Sequence, residues 1–277
     1  MLPKGNLAGP GLALGLVLFT LTAASVSAQD WARQTVEKSP RHREWVTVAH
    51  GGRSVQTFVV YPESKAKTPV VLIIHEIFGH TDWVQDVADQ VAAAGYIAVA
   101  PDLLSGMGPS GGGTTSFAGG DVTKAVSGLD PAQVTTDLDA VADYGLKLPS
   151  ANGKLFVGGF CWGGGQSFRF ATHRSGLAAA FVFYGPPPEK DAMAKITAPV
   201  YGFYAGEDAR ISSTIPATKD GMKELGKTYD AVVYEGAGHG FMREGEDPGS
   251  TQAHHEANVK ARKEAWERWK KLLKERS

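Results

Sequence analysis

A glycine-rich run, residues 158–165 (GGFCWGGG), follows a strand-like segment and contains the only cysteine of the chain. A sharp turn from a strand into a helix needs residues without bulk at its second-neighbour positions, and Gly159 and Gly163 occupy those positions around Cys161. Such a turn leaves its central side chain exposed at the edge of a sheet. The run therefore predicts Cys161 as a nucleophile for covalent hydrolytic chemistry. The alternative is a small, buried, inert cysteine, the commonest fate of a free thiol.

Short apolar segments alternate with helical patterns from residue 69 onward. Continuous apolar runs suit parallel strands covered on both faces, and their alternation with helices predicts a three-layer α/β/α sandwich. Before this region, alternating apolar and polar residues flank residues 50–53 and predict an antiparallel hairpin at one edge of the sheet. The predicted strands are residues 44–49, 54–61, 70–74, 96–100, 155–157, 178–183, 200–204 and 231–234, and the predicted helices are residues 82–94, 131–147, 163–173, 217–227 and 253–275.

Residues 105–127 fit neither pattern, because they hold too many glycines for a helix interior or a central strand. We predict a mobile loop here. It leaves the carboxyl end of the predicted strand 96–100, so it is expected to overhang the cleft where ligands bind in open α/β sheets. The alternative is a disordered surface insertion.

The first residues match a signal peptide. Lys4 precedes an apolar run over residues 12–24, and residues 26–28 supply a small-residue cleavage site. We expect cleavage after Ala28 and export to the periplasm or the medium, with residues 29–277 as a single domain. An uncleaved membrane anchor is the weaker alternative, since the apolar run is short for a membrane span.

Composition excludes several classes of partner. The formal net charge is −1 at pH 7, so no long-range field would collect nucleic acid or an anionic membrane. The expected partner of the processed protein is a small ester or lactone, with no nucleic acid, no stable membrane insertion and a monomeric state. No nucleotide-binding fingerprint is present, and the spacing of His75 and His80 does not match a zinc-protease helix. We therefore predict no cofactor and no metal.

A thiol nucleophile needs a base to take its proton and a carboxylate to orient that base. Asp208 follows the predicted strand 200–204 and His239 follows the predicted strand 231–234, so the chain order is nucleophile, acid and histidine. The alternatives are that Asp208, next to Glu207, caps a turn and that His239 is a solvated loop histidine.

Two backbone amides are expected to form an oxyanion hole. One belongs to Trp162, directly after the cysteine at the start of the predicted helix, and the other to Ile77, in the loop after the predicted strand 70–74. The indole of Trp162 either covers the nucleophile, lines the acyl pocket or packs in the core.

Together these motifs resemble the dienelactone hydrolase family, over about residues 46–272. The resemblance implies an α/β-hydrolase core of eight mostly parallel strands and a triad of Cys161, Asp208 and His239. It also implies that Glu76 holds the resting thiol and accepts its proton as substrate arrives. The matching motifs are residues 76–79 (EIFG), 159–164 (GFCWGG), 206–208 (GED) and 238–241 (GHGF).

The resemblance also identifies positions that contact substrate. Members of the family bind a substrate carboxylate with an arginine after the fourth strand, and Gly106 occupies that position here. A second family arginine is retained as Arg243, which either binds a substrate anion or pairs with Glu244 or Glu246 on the surface. Phe78 is the other expected substrate contact.

The predicted function is an exported hydrolase that cleaves esters or lactones of small molecules through Cys161 and a thioester acyl-enzyme. The alternative is a non-hydrolytic protein on the same scaffold, which binds a ligand or senses oxidants through its thiol. This alternative gains support if Asp208 and His239 lie out of hydrogen-bond reach of a chain to Cys161.

Overall fold

The computed structural model describes residues 29–277, so the predicted signal peptide lies outside the described residues. The strands are β1 (Arg43–His50), β2 (Arg53–Val60), β3 (Thr68–Ile74), β4 (Ile97–Pro101), β5 (Ala151–Phe160), β6 (Leu177–Phe183), β7 (Val200–Ala205) and β8 (Tyr229–Tyr234). The helices are α1 (Asp30–Lys38), α2 (Asp82–Ala93), α3 (Asp121–Ser127), α4 (Pro131–Lys147), α5 (Trp162–Phe170), α6 (Lys190–Met193), α7 (Ala209–Ser212), α8 (Ile215–Glu224), α9 (Phe241–Glu244) and α10 (His255–Arg276). Short 3-10 turns lie at Pro109–Gly111 and Thr114–Ser116.

The eight strands form one sheet in the order β1-β2-β4-β3-β5-β6-β7-β8. The β1–β2 and β2–β4 pairs are antiparallel and every later pair is parallel. The predicted hairpin is present, with His50 opposite Arg53 at its turn. The mostly parallel α/β fold predicted from the sequence is therefore confirmed.

Helices cover both faces of the sheet, and β3 shows how the sequence dictates this. All of its residues are buried. Val71 and Ile73 join an apolar cluster with α1, α2 and α10, whereas Leu72 and Ile74 join a second cluster with α4, α5 and α8. Since successive side chains of a strand point to opposite faces, a continuous apolar run can contribute to two cores at once. The result is the three-layer arrangement expected from the sequence.

Helix α4 begins and ends at the predicted residues. Asp130 accepts a hydrogen bond from the Ala132 amide at 3.1 Å, and Pro131 occupies the first turn, where its missing N–H costs nothing. Strong local start signals of this kind make a helix boundary readable from sequence.

The prediction that residues 105–127 form a loop throughout was wrong. The segment contains the two 3-10 turns and then α3. Its glycines are concentrated before α3, and within the helix there are none; Gly120 and Gly128 flank it as caps. The sequence analysis also assigned no element to α1, which has three apolar residues: Ala32 and Val36 are buried and Trp31 is partly buried. No helix within residues 29–277 is long and apolar enough to cross a membrane.

Candidate active site

The chain turns sharply at Cys161, between the end of β5 and the start of α5. Cys161 has φ 56° and ψ −118°, a conformation that L-residues other than glycine rarely adopt. The turn depends on its glycines. A Cβ on Gly159 would lie 2.0 Å from the Gly163 carbonyl oxygen, and a Cβ on Gly163 would lie 2.3 Å from the His75 carbonyl oxygen. The Cys161 amide donates to the Phe183 carbonyl at 3.0 Å, which ties the turn to β6.

The structure brings together the cysteine, the histidine and the acid predicted from sequence. His239 Nε2 lies 3.1 Å from Cys161 Sγ, and His239 Nδ1 lies 2.5 Å from Asp208 Oδ2. Asp208 is buried whereas its neighbour Glu207 is exposed, and it is the Asp208 carboxylate that contacts the imidazole. The geometry is a continuous hydrogen-bonded chain from carboxylate through imidazole to sulfur.

The surroundings of His239 favour the protonated form of its imidazole. Burial lowers the pKa of His239, but the hydrogen bond and charge of Cys161 and those of Asp208 outweigh it and raise the pKa to about 9. The imidazole can therefore hold a proton near neutral pH while the sulfur lies beside it.

Adjacent loops hold the acid and the histidine in place. Strands β7 and β8 are parallel neighbours, and the Glu207 amide donates to the Ala237 carbonyl at 3.0 Å, which links the two loops that follow them. On the other side, the side chain of Asn258 from α10 accepts from the Gly238 amide at 2.8 Å. The position of His239 is thus set by contacts that lie far apart in the sequence.

The two predicted oxyanion donors lie at neighbouring strand ends. β3 and β5 pair with Ile74 opposite Gly159, so the loop carrying Ile77 runs beside the turn at Cys161. The Trp162 amide is the first of α5, where the helix leaves its N–H groups free. Within residues 29–277, neither the Ile77 nor the Trp162 amide has a hydrogen-bond partner, so both can donate to a ligand.

The Trp162 side chain packs against His75. The two rings stack at 5.5 Å between centroids and 14° between planes. His75 is buried and its Nδ1 bonds the Glu76 carbonyl at 2.8 Å, while burial lowers its pKa and keeps it neutral. The described part of the chain contains no cluster of three or more side chains suited to a metal ion.

Glu76 lies in a buried ion pair with Arg243. Glu76 Oε2 accepts from Arg243 Nε at 2.7 Å, and Glu76 Oε1 accepts from the Tyr184 hydroxyl at 3.4 Å. The direct contact between Glu76 and Cys161 that the family resemblance implies is not made in this arrangement, since the thiol contacts His239 instead. Within residues 29–277 Glu76 has no hydrogen bond to Cys161, Asp208 or His239, and Tyr184, which donates to Glu76, places its ring 5.1 Å from that of His239.

Arg243 pairs with Glu244, one of its two expected partners, and with Glu76, which the sequence did not suggest. Besides Glu76, it contacts Glu244 at 2.5 Å, and its guanidinium lies 5.0 Å from the centre of the Phe78 ring. Glu246, the other expected partner, pairs with Arg262. Two carboxylates thus neutralise Arg243.

Sequence reasoning missed Tyr184, which directly follows β6. It has φ 39° although it is not glycine, and it is fully buried between Glu76 and His239. Burial and the Glu76 charge raise the pKa of its hydroxyl well above the usual value, so it stays a neutral donor. The sequence signal that could have drawn attention to Tyr184 is the glycine that follows it. Gly185 packs closely against α5, where a Cβ would lie 2.2 Å from the Gly165 amide nitrogen.

A pocket of about 470 Å³ opens beside this site. Phe78 and Arg243 form the side toward the triad, and residues 114–123 form another, so the segment after β4 does border a ligand-sized space. The remaining wall includes Trp31 of α1, which sequence reasoning did not connect with the site. Gly106 is exposed and does not border it.

This fold and this site define an α/β-hydrolase: a mostly parallel sheet, a cysteine at a strand–turn–helix, and an acid and a histidine after later strands. Comparison with known proteins gives the particular family. The model described as "Dienelactone hydrolase family" matches residues 55–277. The chain belongs to the dienelactone hydrolase family. Membership of this family makes it a hydrolase of carboxylic esters or lactones.

Individual relatives agree. "Putative carboxymethylenebutenolidase" from Methylorubrum extorquens is 33% identical over 199 residues, which are 68% of this chain and 68% of the relative. A protein of the same name from Salmonella typhi is 31% identical over 74% of this chain and 76% of its own length. The crystal structure of "Putative Dienelactone Hydrolase" from Klebsiella pneumoniae has a TM-score of 0.73 at 26% identity and covers 84% of this chain and 98% of its own.

Proposed function

We propose that this protein hydrolyses carboxylic esters or lactones of small molecules through a covalent thioester on Cys161. The observation that carries the proposal is the chain of contacts from Asp208 to His239 to Cys161, at 2.5 and 3.1 Å. The non-hydrolytic alternative predicted an acid and a base out of reach of the thiol. Because both are in reach, hydrolysis is the better account of the geometry.

In the first half-reaction Cys161 Sγ attacks the carbonyl carbon, and His239 Nε2 holds the thiol proton. The carbonyl oxygen becomes an oxyanion that accepts from the amides of Ile77 and Trp162. The carbon–oxygen bond to the leaving group then breaks, and His239 donates its proton to the departing alkoxide. One oxyanion donor of this kind is typically worth about 3 kcal/mol of barrier.

In the second half-reaction water attacks the thioester. His239 takes a proton from the water, the same amides hold the oxyanion, and collapse breaks the carbon–sulfur bond. The proton then returns to the sulfur, so the acid product leaves and the enzyme is regenerated. Asp208 keeps the imidazole oriented throughout.

Glu76 is proposed to hold the resting thiol, as the family resemblance implies, and the thiol proton passes to His239 once the sulfur has moved beside the imidazole. In this structure its carboxylate is occupied by Arg243 and Tyr184. A thiol-holding role thus requires Glu76 to leave Arg243. We therefore treat the Glu76–Arg243 pair as the arrangement in which the thiol is already released to His239.

Lactones are the substrates suggested by the names of the relatives, since carboxymethylenebutenolidases act on a lactone ring. Recognition of a substrate carboxylate is weakened here in two ways. Gly106 stands where the family has one arginine, and Arg243 is neutralised by Glu76 and Glu244. Neutral esters and lactones are therefore the proposed substrates.

Export is proposed on the basis of residues 1–28. Cleavage after Ala28 would keep the residue that fixes the start of α1. The Gln29 side chain accepts from the Trp83 amide at 2.8 Å, and the Gln29 carbonyl accepts from the Ala32 amide at 2.9 Å. N-terminal sequencing of protein from the periplasm or the medium is expected to start at Gln29. Protein found only in the cytosol with residues 1–28 attached contradicts this.

The hydrolytic proposal is tested with Cys161→Ala, Cys161→Ser and His239→Ala on short acyl aryl esters and on butenolides. We expect the alanine variants to lose at least about 10³-fold in kcat. Arg210→Ala, an exposed substitution in α7 close to Asp208 in sequence, is the control and should keep its activity. Undiminished turnover in both Cys161→Ala and His239→Ala rules the mechanism out.

A further inference from the structure

We infer that the 470 Å³ pocket receives a neutral, ring-bearing substituent of the substrate, and that Trp31 and Val122 set this selectivity. The inference rests on the proposed function, because it assigns the pocket to the substrate that reacts at Cys161.

The pocket begins one residue beyond the proposed oxyanion hole. Phe78 directly follows Ile77, and Phe78 borders the pocket. Arg243 borders it as well and holds Glu76 at 2.7 Å from its Nε. None of the residues that border it belongs to the proposed triad. A substrate whose carbonyl oxygen meets the Ile77 amide therefore extends its substituent, not its reacting carbon, into this space.

The walls suit an aromatic or bulky apolar group. Trp31 lies in α1, Phe78 in the loop after β3 and Val122 in α3, and Phe78 is 40% exposed although it is a large apolar side chain. A volume near 470 Å³ lies within the range of small-molecule sites. Aromatic walls favour planar rings, which stack on them or meet them edge to face.

The charges around the pocket disfavour an anion. Asp82 and Asp247 border it, and burial raises the pKa of Asp82, which shows that a negative charge is poorly solvated there. Arg243 is the one lysine or arginine among its described lining residues, and both Glu76 and Glu244 already pair with it. A substituent that carries a carboxylate would meet like charges without a free cation.

The Trp31 wall lies outside the part of the chain that matches the family. The match covers residues 55–277, whereas α1 comes before it. α1 is anchored onto the fold by the Gln29 side chain and by burial of Ala32 and Val36. One wall of the pocket thus comes from an element outside the region that the family model matches.

The test compares ethyl acetate with ethyl 3-phenylpropanoate, which carries a ring on the acyl side, and with 2-phenylethyl acetate, which carries it on the alcohol side. Trp31→Ala removes a wall, and Val122→Trp fills the space from the partly exposed face of α3. Each is expected to lower kcat/KM at least about 10-fold for one ring-bearing ester and less than about twofold for ethyl acetate. Met107→Trp is the matched control, because Met107 is 43% exposed in the same segment but does not border the pocket.

A para-carboxylate on the ring of the preferred ester is expected to lower wild-type kcat/KM at least about 10-fold. Equal effects of both variants on all three esters, no effect on any, or a preference for the carboxylate overturns the inference. The variant Cys161→Ala distinguishes failure of the proposed function from failure of the pocket assignment. If Cys161→Ala stays active, the proposed function fails; if it is inactive but Val122→Trp shows no selectivity, only the pocket assignment fails.

Discussion

The carboxylate of Glu76 and the guanidinium of Arg243 form a buried ion pair across 167 positions of the sequence, with 2.7 Å between Oε2 and Nε. The Glu76 side chain is 3% exposed and that of Arg243 is 19% exposed. Removing one partner leaves an uncompensated charge in the interior. The free-energy cost of that charge is far larger than the stability difference between the intact ion pair and two neutral groups in its place.

Arg243→Met is therefore expected to lower the free energy of unfolding by about 3–5 kcal/mol. The double variant with Glu76→Gln should recover most of this loss, because no buried charge remains. Lys270→Met is the control, since its ion pair with Glu267 lies in solvent and should change stability by less than about 1 kcal/mol. Urea denaturation measures all of them, and a double variant no more stable than Arg243→Met contradicts the buried-charge explanation.

The His239 pKa makes stability depend on pH. The pKa of about 9 in the folded protein lies above the ordinary histidine value of 6.5, so the folded state binds this proton more tightly. The associated stabilisation is complete below about pH 6.5 and is lost as the pH rises through about 9. Allowing for solvent screening of this partly exposed group, we expect a loss of about 1–2 kcal/mol across that window.

His239→Gln should remove this contribution, and Cys161→Ala should reduce it because the cysteine is the largest of the groups that raise the pKa. Urea denaturation at pH 6, 7.5 and 9 gives the slope for each variant. A His239→Gln slope as steep as the wild-type slope over this window would assign the effect to another group.

Asp86 of α2 is a buried carboxyl whose charge opposes folding. Burial, followed by the Glu246 charge, raises its pKa to about 7, and its Oδ1 has no hydrogen-bond partner within residues 29–277. Its stabilising contribution is present at low pH and is lost as the pH rises from about 4 through 7. Asp86→Asn keeps the acceptor for Gln90, which donates at 2.8 Å, and avoids the charge.

We expect Asp86→Asn to be more stable than the wild type by about 2–4 kcal/mol at pH 8 and to differ from it by less than about 1 kcal/mol at pH 4, near the pKa of the carboxyl in the unfolded chain. Denaturation at the two pH values measures the difference. An asparagine variant that is less stable at both would show that the carboxylate is satisfied by its surroundings.

Gly163 is expected to tolerate no side chain. Its Cβ would lie 2.3 Å from the His75 carbonyl oxygen and 2.5 Å from that of Ile74, and both atoms belong to the backbone. Gly163→Ala should therefore displace the loop that carries Ile77 and lower kcat at least about 10²-fold, with a stability loss of about 3 kcal/mol or more. Gly165→Ala is the matched control in the same helix, because its Cβ would lie no closer than 3.1 Å to the Pro186 ring and 3.6 Å to the Pro186 carbonyl oxygen. Equal activity of the two variants contradicts the packing argument.

The sequence was most informative where local chemistry alone decides the structure. Continuous apolar runs such as residues 70–74 can only be buried on both faces, and the glycines around Cys161 permit a turn that other residues would block. Asp130 with Pro131 fixed the start of α4 in the same way.

The sequence was least informative where distant contacts decide. The position of α1 depends on burial against α2, and its own apolar pattern is too weak to predict a helix. The sequence analysis missed α3 because the glycines before it favoured a loop. The orientation of Glu76 toward Arg243 depends on a partner far along the chain, and the closeness of Trp31 to the pocket depends on how α1 docks. No local spacing in the sequence encodes these relationships.

The central claim is that acyl transfer passes through sulfur. Rapid mixing with p-nitrophenyl acetate, followed by an acid quench and peptide mass spectrometry, should find one acetyl group on Cys161 during turnover, removable by neutral hydroxylamine and missing in Cys161→Ala. Steady hydrolysis with no acetyl group on Cys161, or with the acetyl group on another residue, would contradict the account.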